Sequence, residues 1–166
     1  MHANSLKLGR EFFANVTKNY PGLPKTVLDV GSFNVNGTYR PFWDGWDYLG
    51  VDIAAGPNVD QVVSADANWD LGRQFGVVIS GQCIEHCEDP FALVQTMAKH
   101  VTPGGLLWLI APFMLHEHRH PIDCWRFLPD GMRVLMRRAG LRCLQAAIST
   151  FGPGKADCWA IGIKDG

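Results

Sequence analysis

Three acidic residues, Asp29, Asp52 and Asp66, each close a short apolar run. The runs are Val27-Leu28-Asp29-Val30-Gly31-Ser32, Tyr48-Leu49-Gly50-Val51-Asp52 and Val62-Val63-Ser64-Ala65-Asp66. An apolar run that ends in an acid and then breaks at glycine is how a buried parallel strand delivers a ligand loop at its carboxyl end. Carboxylates at three such ends would repel phosphate and favour a positively charged nucleoside. Asp52, directly at its strand end, can accept hydrogen bonds from both ribose hydroxyls and would repel a 2′-phosphate. Asp66, followed by Ala67, stands where a side-chain acceptor could take an adenine amino group. Each acid alone also reads as a turn or capping residue, and the three together carry more weight than any one.

The loop from Asp29 to Gly37 reads Asp-Val-Gly-Ser-Phe-Asn-Val-Asn-Gly. No Gly-Lys-Ser/Thr follows, so it is not a P-loop. Phe33 sits where the dinucleotide fingerprint needs its second glycine, which argues for a ligand without pyrophosphate. A ligand carboxylate held by freed backbone N–H groups is one expectation, and a tight turn with no ligand is the other.

A second constellation lies in Pro112-Phe-Met-Leu-His116-Glu-His118-Arg-His120-Pro-Ile-Asp123-Cys-Trp125-Arg126-Phe127, where three of the six histidines fall within five residues. In an extended chain His116, His118 and His120 point to one side. A neutral histidine can take a proton from an acceptor hydroxyl or amine. Arg119 or Arg126 can hold an anionic group, with Asp123 and Trp125 in the same substrate segment. The competing reading is a solvated surface loop packed down by Trp125 and Phe127. His86, in Glu85-His86, stands near the active centre or merely shapes a turn. Cys83 and Cys87 flank it, but the spacing lacks a second ligand pair. A metallo-hydrolase of the His-x-His-x-Asp-His type would need Asp at position 120, where this chain has His120. No metal is therefore expected to be required.

These residues need elements to position them. Residues 5–20 show an apolar helix face with Leu8, Phe12, Phe13 and Val16, stopped by Pro21-Gly22. Strands are expected at 26–30, 48–52, 61–64, 76–80 and 106–111. Asp89 and Pro90 open a helix as cap and first residue. Pro103-Gly104-Gly105 turns the chain into the next strand. A last helix is expected at 129–139, with Gly140 as its cap. Residues 144–150 and 158–163 would pair antiparallel around Gly152-Pro153-Gly154. The predicted fold is α/β: a Rossmann-like, doubly wound, mostly parallel sheet of about seven strands, the last antiparallel, with some flanking helices trimmed. Phe33, Trp43 and Trp125 are candidates to cover the site.

The 166 residues suffice for a single domain, 1–166, with a real core. Hydrophobic content of 47% with 19% charged residues argues against disorder. A net charge of −1 gives no bulk attraction to nucleic acid or an anionic membrane. No apolar stretch is long enough to span a bilayer, and residues 1–10 lack the core of a signal peptide. Five cysteines without a disulfide-like spacing suit a reducing cytoplasm. The oligomeric state is not legible.

Over residues 25–140 the chain resembles a class I S-adenosylmethionine-dependent methyltransferase of the small type 11-like kind. The landmarks are Leu28-Asp29-Val30-Gly31, Gly50-Val51-Asp52-Ile53 and Glu85-His86-Cys87-Glu88-Asp89-Pro90. The resemblance implies S-adenosylmethionine as cofactor and S-adenosylhomocysteine as product. It implies that Asp29, Gly31, Ser32, Phe33 and Gly37 form the methionine loop, that Asp52 and Ile53 hold the ribose, and that Asp66 and Ala67 read the adenine. Ser80, Gly81 and Gln82 would pass beside the reacting methyl. Phe33-Asn34 departs from a more glycine-rich loop.

The expected function is methyl transfer to a small-molecule or saccharide-like acceptor, with catalytic candidates His86, His116, His118 and His120. Two alternatives stand beside it. One is a non-catalytic S-adenosylmethionine-binding module acting with a partner. The other is a metal-dependent hydrolase built on His116 to His120.

Overall fold

The computed structural model describes residues 2–166. The chain runs α1 (Ala3–Asn19), β1 (Thr26–Val30), β2 (Asp47–Asp52), β3 (Gln61–Val62), β4 (Phe75–Gly81), α2 (Pro90–Lys99), β5 (Val101–Met114), α3 (Pro129–Arg138), β6 (Arg142–Gly152) and β7 (Lys155–Ile163). The strands form one seven-stranded sheet in the order β3-β2-β1-β4-β5-β7-β6. Strands β1 to β5 pair parallel, and β7 lies antiparallel to both β5 and β6. This is the expected Rossmann-like sheet. Where the order turns back from β1 to β4, the strand ends leave the crevice in which such sheets bind ligands.

Each sheet face has its own core. On one face α1 and the turn that carries Trp43 are laid over an aromatic floor, with Phe12 stacked on Trp108 at 5.4 Å and edge-on to Trp43. On the other, α2 and α3 cover Leu28, Val78, Leu107 and Leu109, all fully buried. Asp89 caps α2 by accepting from the Ala92 N–H at 3.0 Å, and Pro90 follows as the first helical residue. At its other end the Lys164 ammonium donates to the carbonyls of Ala98 and Val101, offsetting the helix's negative pole.

The trimmed helices are where they were expected. The crossover from β1 to β2 carries only a short 3-10 helix, Arg40–Trp43, and that from β2 to β3 carries none. Most element ends shift by a residue or two from the sequence reading, and the differences in β3 and β5 have a physical reason. The edge strand β3 stops at Val62, because beyond it only the Val63 N–H still reaches Asp52. Strand β5 begins at Val101, since Pro103-Gly104-Gly105 bulges out of the ladder and does not end it. The β6–β7 hairpin is longer than expected at both ends. Trp43, expected over the site, lies 2% exposed on the α1 face among Phe12, Phe13 and Trp46.

Candidate active site

The carboxyl ends of β1, β2 and β4 and the segment after β3 open on one cavity of about 1370 Å³. At the first strand end the chain must double back tightly. Gly31 takes φ +79°, and a Cβ there would lie 2.5 Å from Cys83 Sγ. Gly81 is pressed on the other face, where a Cβ would lie 2.1 Å from the Tyr39 hydroxyl. Both positions accept only glycine without rearrangement.

The loop amides are not free. Gly31 and Ser32 donate to the Val51 carbonyl at 2.9 and 3.0 Å, and Asn34 donates to Pro57 at 2.9 Å. The Phe33 N–H donates to Asp52 at 3.0 Å. The expected capture of a carboxylate by freed N–H groups therefore has no donors between Gly31 and Asn34. Asp52 also accepts from the Ala54 N–H at 3.2 Å, so each carboxylate oxygen keeps a lone pair for a ligand.

Of the expected cofactor residues, Gly31, Phe33, Asp52, Ile53, Asp66, Ala67, Gly81 and Gln82 line the cavity. Four others stand behind the wall and hold its shape. Asp29 accepts from the Tyr48 hydroxyl. The Ser32 hydroxyl donates to the Asn58 carbonyl at 3.1 Å, and Ser80 donates to Val30 at 2.8 Å. The Gly37 N–H donates to the Asn34 side chain at 2.8 Å. Burial pushes the Asp29 carboxyl up to about 7, against the lowering effect of Tyr48. Arg40 braces the layer, stacked 4.3 Å over the Tyr48 ring and bonded to Asn58 and Asp60. Asp66 is fully exposed, and the Asn68 backbone N–H keeps its carboxyl below the usual value.

The opposite wall is the segment after β5. Its backbone is stitched to the short 3-10 helix Ile84–His86: the N–H groups of Cys124 and Trp125 both donate to the Glu85 carbonyl, at 2.8 and 3.3 Å. Arg126 grips Asp123 with two nitrogens at 2.6 and 2.8 Å and donates to the carbonyls of Leu115 and His116. That guanidinium holds the Asp123 carboxyl well below the usual carboxylate range. Asp123 in turn accepts the His118 N–H at 2.7 Å. The Trp125 indole N–H donates to Cys87 at 2.8 Å.

This clamp gathers three rings. The His86 and His118 centroids are 5.0 Å apart, with His120 at 5.8 Å from His86 and 6.4 Å from His118. His116 is not among them. All three loop histidines line the cavity, as the sequence led one to expect. Glu85 lies behind the rings, 0% exposed, with Oε1 at 3.6 Å from His86 Nε2 and 3.9 Å from His118 Nε2. The acceptors around His118, Glu85 first and then the His116 carbonyl and the Asp123 carboxylate, raise its pKa against the lowering effect of burial. Arg119 lines the cavity, whereas Asp123, Trp125 and Arg126, expected at the substrate, are spent on holding the loop.

Sequence reasoning passed over several residues. Glu85 appeared only as a landmark. Its signal was an acid placed between two cysteines and next to a histidine. His2, Phe151 and Lys155 also reach the cavity, from α1's cap and the β6–β7 hairpin. Nothing local marks them, because only the sheet order brings them there.

The chain belongs to a known family. A family described as "Methyltransferase domain" matches residues 6–146, and the fold is the class I methyltransferase fold expected above. Among solved structures, the chain is similar to a 1,6-didemethyltoxoflavin-N1-methyltransferase from Burkholderia thailandensis with bound S-adenosylhomocysteine. The identity is 14% and the TM-score 0.72, covering 98% of this chain and 79% of that one. It is similar to a sugar N-methyltransferase from Streptoalloteichus, at 16% identity and TM-score 0.68, covering 99% and 88%. It is also similar to an S-adenosylmethionine-bound amino pentose methyltransferase from Micromonospora echinaspora, at 15% identity and TM-score 0.65, covering 93% and 90%. No curated protein matches the sequence. Among the described residues no helix is long and apolar enough to cross a membrane.

Proposed function

We propose that this methyltransferase carries a methyl group from S-adenosylmethionine to the nitrogen or oxygen of a small-molecule or saccharide-like acceptor. The observation that carries the reading is the single cavity shared by Asp52 and the histidine cluster. Asp52 would take the ribose hydroxyls on its two remaining lone pairs. Asp66 would face the adenine, between the apolar walls of Val63, Ala67 and Leu93. Gly31, Phe33, Gly81 and Gln82 would surround the methionine end. The acids on the cavity wall, Asp52, Asp66, Glu88 and Asp89, outnumber its two fixed cations, Arg119 and Lys155, as suits a cationic ligand.

S-adenosylmethionine supplies a methyl group already activated by its sulfonium, so the protein's task is to hold two reactants at contact distance. As the acceptor's nitrogen or oxygen bonds to carbon and the carbon–sulfur bond breaks, the acceptor's proton must leave. His116 and His120 are free to take it, since both are exposed on the cavity wall and neither has a ring hydrogen bond among the described residues; His120, which packs against His86 and His118, is the one proposed here. Arg119 would meet an anionic group of the acceptor. The cavity exceeds the roughly 300–1,000 Å³ of a typical small-ligand site, which leaves room for both reactants. The sugar and amino pentose methyltransferases among the similar structures support an acceptor of that class, and a net charge of −1 gives no support to a nucleic acid.

The test is S-adenosylhomocysteine formation against a panel of amino and hydroxy saccharides. The reading expects acceptor-dependent turnover that falls at least tenfold in His120→Ala with cofactor affinity unchanged. Tight cofactor binding without turnover on any acceptor would favour a non-catalytic module that works with a partner.

A further inference from the structure

The geometry points to a metal site in the acceptor wall: we propose that Glu85, His86 and His118 bind one divalent first-row transition-metal ion. Glu85 is fully buried, and neither carboxylate oxygen has a hydrogen-bond partner among the described residues. A buried carboxylate left so costs several kcal/mol, and such a group calls for an explanation. Two imidazole nitrogens stand nearby, at 3.6 and 3.9 Å, without bonding to it. A hydrogen bond would draw them to about 2.7–3.2 Å. Ligand atoms sharing a tetrahedral ion with bonds of about 2.0–2.1 Å stand roughly 3.3–3.4 Å apart. The two separations from Glu85, 3.6 and 3.9 Å, stand only slightly wider than that of a shared ion. One ligand atom from each residue lies within 4.8 Å of the others.

The second observation is the orientation of the rings. His86 Nδ1 faces the Ile122 carbonyl at 2.5 Å. His118 Nδ1 faces the His116 carbonyl at 3.3 Å and the Asp123 carboxylate at 3.4 Å. Acceptors at both Nδ1 atoms place the protons there and turn both Nε2 lone pairs toward Glu85. Metal-binding histidines are held by this same kind of outer support. The set differs from the two suggested by spacing alone, since it takes neither Cys83 nor Cys87 and omits His116.

Two imidazoles and a carboxylate suit zinc, iron(II) or cobalt(II) better than magnesium or calcium, which take oxygen ligands. Three protein ligands leave at least one position open. His86 and His118 line the cavity and Glu85 does not, so the ion would sit in the wall between the cavity and the buried acid. The site does not depend on whether the cavity holds S-adenosylmethionine.

The test strips the purified chain with chelator and titrates it with cobalt(II) and zinc(II). The proposal expects one equivalent bound, a ligand-field spectrum with cobalt, and a rise in Tm that chelator reverses. His118→Ala and Glu85→Gln should each weaken binding more than ~100-fold, and Asp123→Asn about 10-fold, in the range seen for outer-shell partners. His116→Ala should leave it unchanged. Circular dichroism checks folding, and if Glu85→Gln fails to fold, the part-exposed His118 carries the test. No saturable binding would overturn the proposal. So would binding that survives loss of His118 but falls in His116→Ala, which would mark surface capture by the loop.

Discussion

The two walls of the cavity are built in different ways. The wall proposed to hold the nucleoside is made of strand ends. Asp52 is the last residue of β2, Gly81 the last of β4, and Gly31 the first after β1. Their directions follow from strand period and from the parallel register that pairs Leu28 with Leu49 and with Val78. The opposite wall, proposed to meet the acceptor, is a segment without regular structure, held by side-chain clamps and by carbonyls far away in sequence. A single residue, Glu85, takes two of its amides. The first wall is rigid because the sheet is rigid. The second is held by a few separate bonds, among which the Arg126–Asp123 pair is the strongest. Substitutions should therefore separate the two, and failures to separate them would break the comparison.

The largest expected effect belongs to the nucleoside wall. Asp29 ionises near pH 7 in the folded chain, against 3.8 for an exposed group. Between those values the folded chain binds more protons than the unfolded one, so stability falls as pH rises and then levels off above 7. Full ionisation costs on the order of 4 kcal/mol. Chemical denaturation across pH 4 to 8 should show the stability of the native chain falling relative to Asp29→Asn by about that amount. A difference that is flat with pH would mean that the carboxyl is already charged.

Next is the acceptor wall. Asp123→Ala should cost about 2–3 kcal/mol, discounted because the Arg126 side chain is part exposed. It should lower kcat strongly while cofactor affinity stays within about twofold, as judged by calorimetry and turnover together. An equal loss in both would show that the walls are not independent. The smallest effect lies beneath them. Tyr39→Phe removes the buried contact with the Ser5 hydroxyl, 2.5 Å from it. A loss of about 1 kcal/mol is expected, read as a lower Tm with unchanged kinetics.

The same contrast explains what could be read from the sequence. The seven strands, their mostly parallel order, the capped helix at Asp89 and the strand-end acid Asp52 follow from local apolar runs and glycine breaks, whereas Asp29 lies within β1 and Asp66 lies four residues beyond the end of β3. Those signals survive folding because buried parallel strands need them. The roles of Asp29 and Ser32 did not follow, since a strand end does not reveal that Tyr48 or Asn58 stands across from it. Histidine-rich composition marked this segment, and His116, His118 and His120 all line the cavity, but composition did not reveal which of them gather beside Glu85. The clamp rotates His118 toward Glu85 and leaves His116 apart. Trp43 misled for a similar reason, because an aromatic after a ligand loop looks the same whether it faces the ligand or the α1 floor.

The most direct test of the central claim is calorimetric titration of the chain and of Asp52→Ala with S-adenosylhomocysteine. Two charge-assisted hydrogen bonds are at stake, each about 1.5–3 kcal/mol. The account predicts saturable one-to-one binding to the native chain and a loss of at least ~100-fold in the variant. Binding of equal strength to both, or none to the native chain at millimolar ligand, would contradict it.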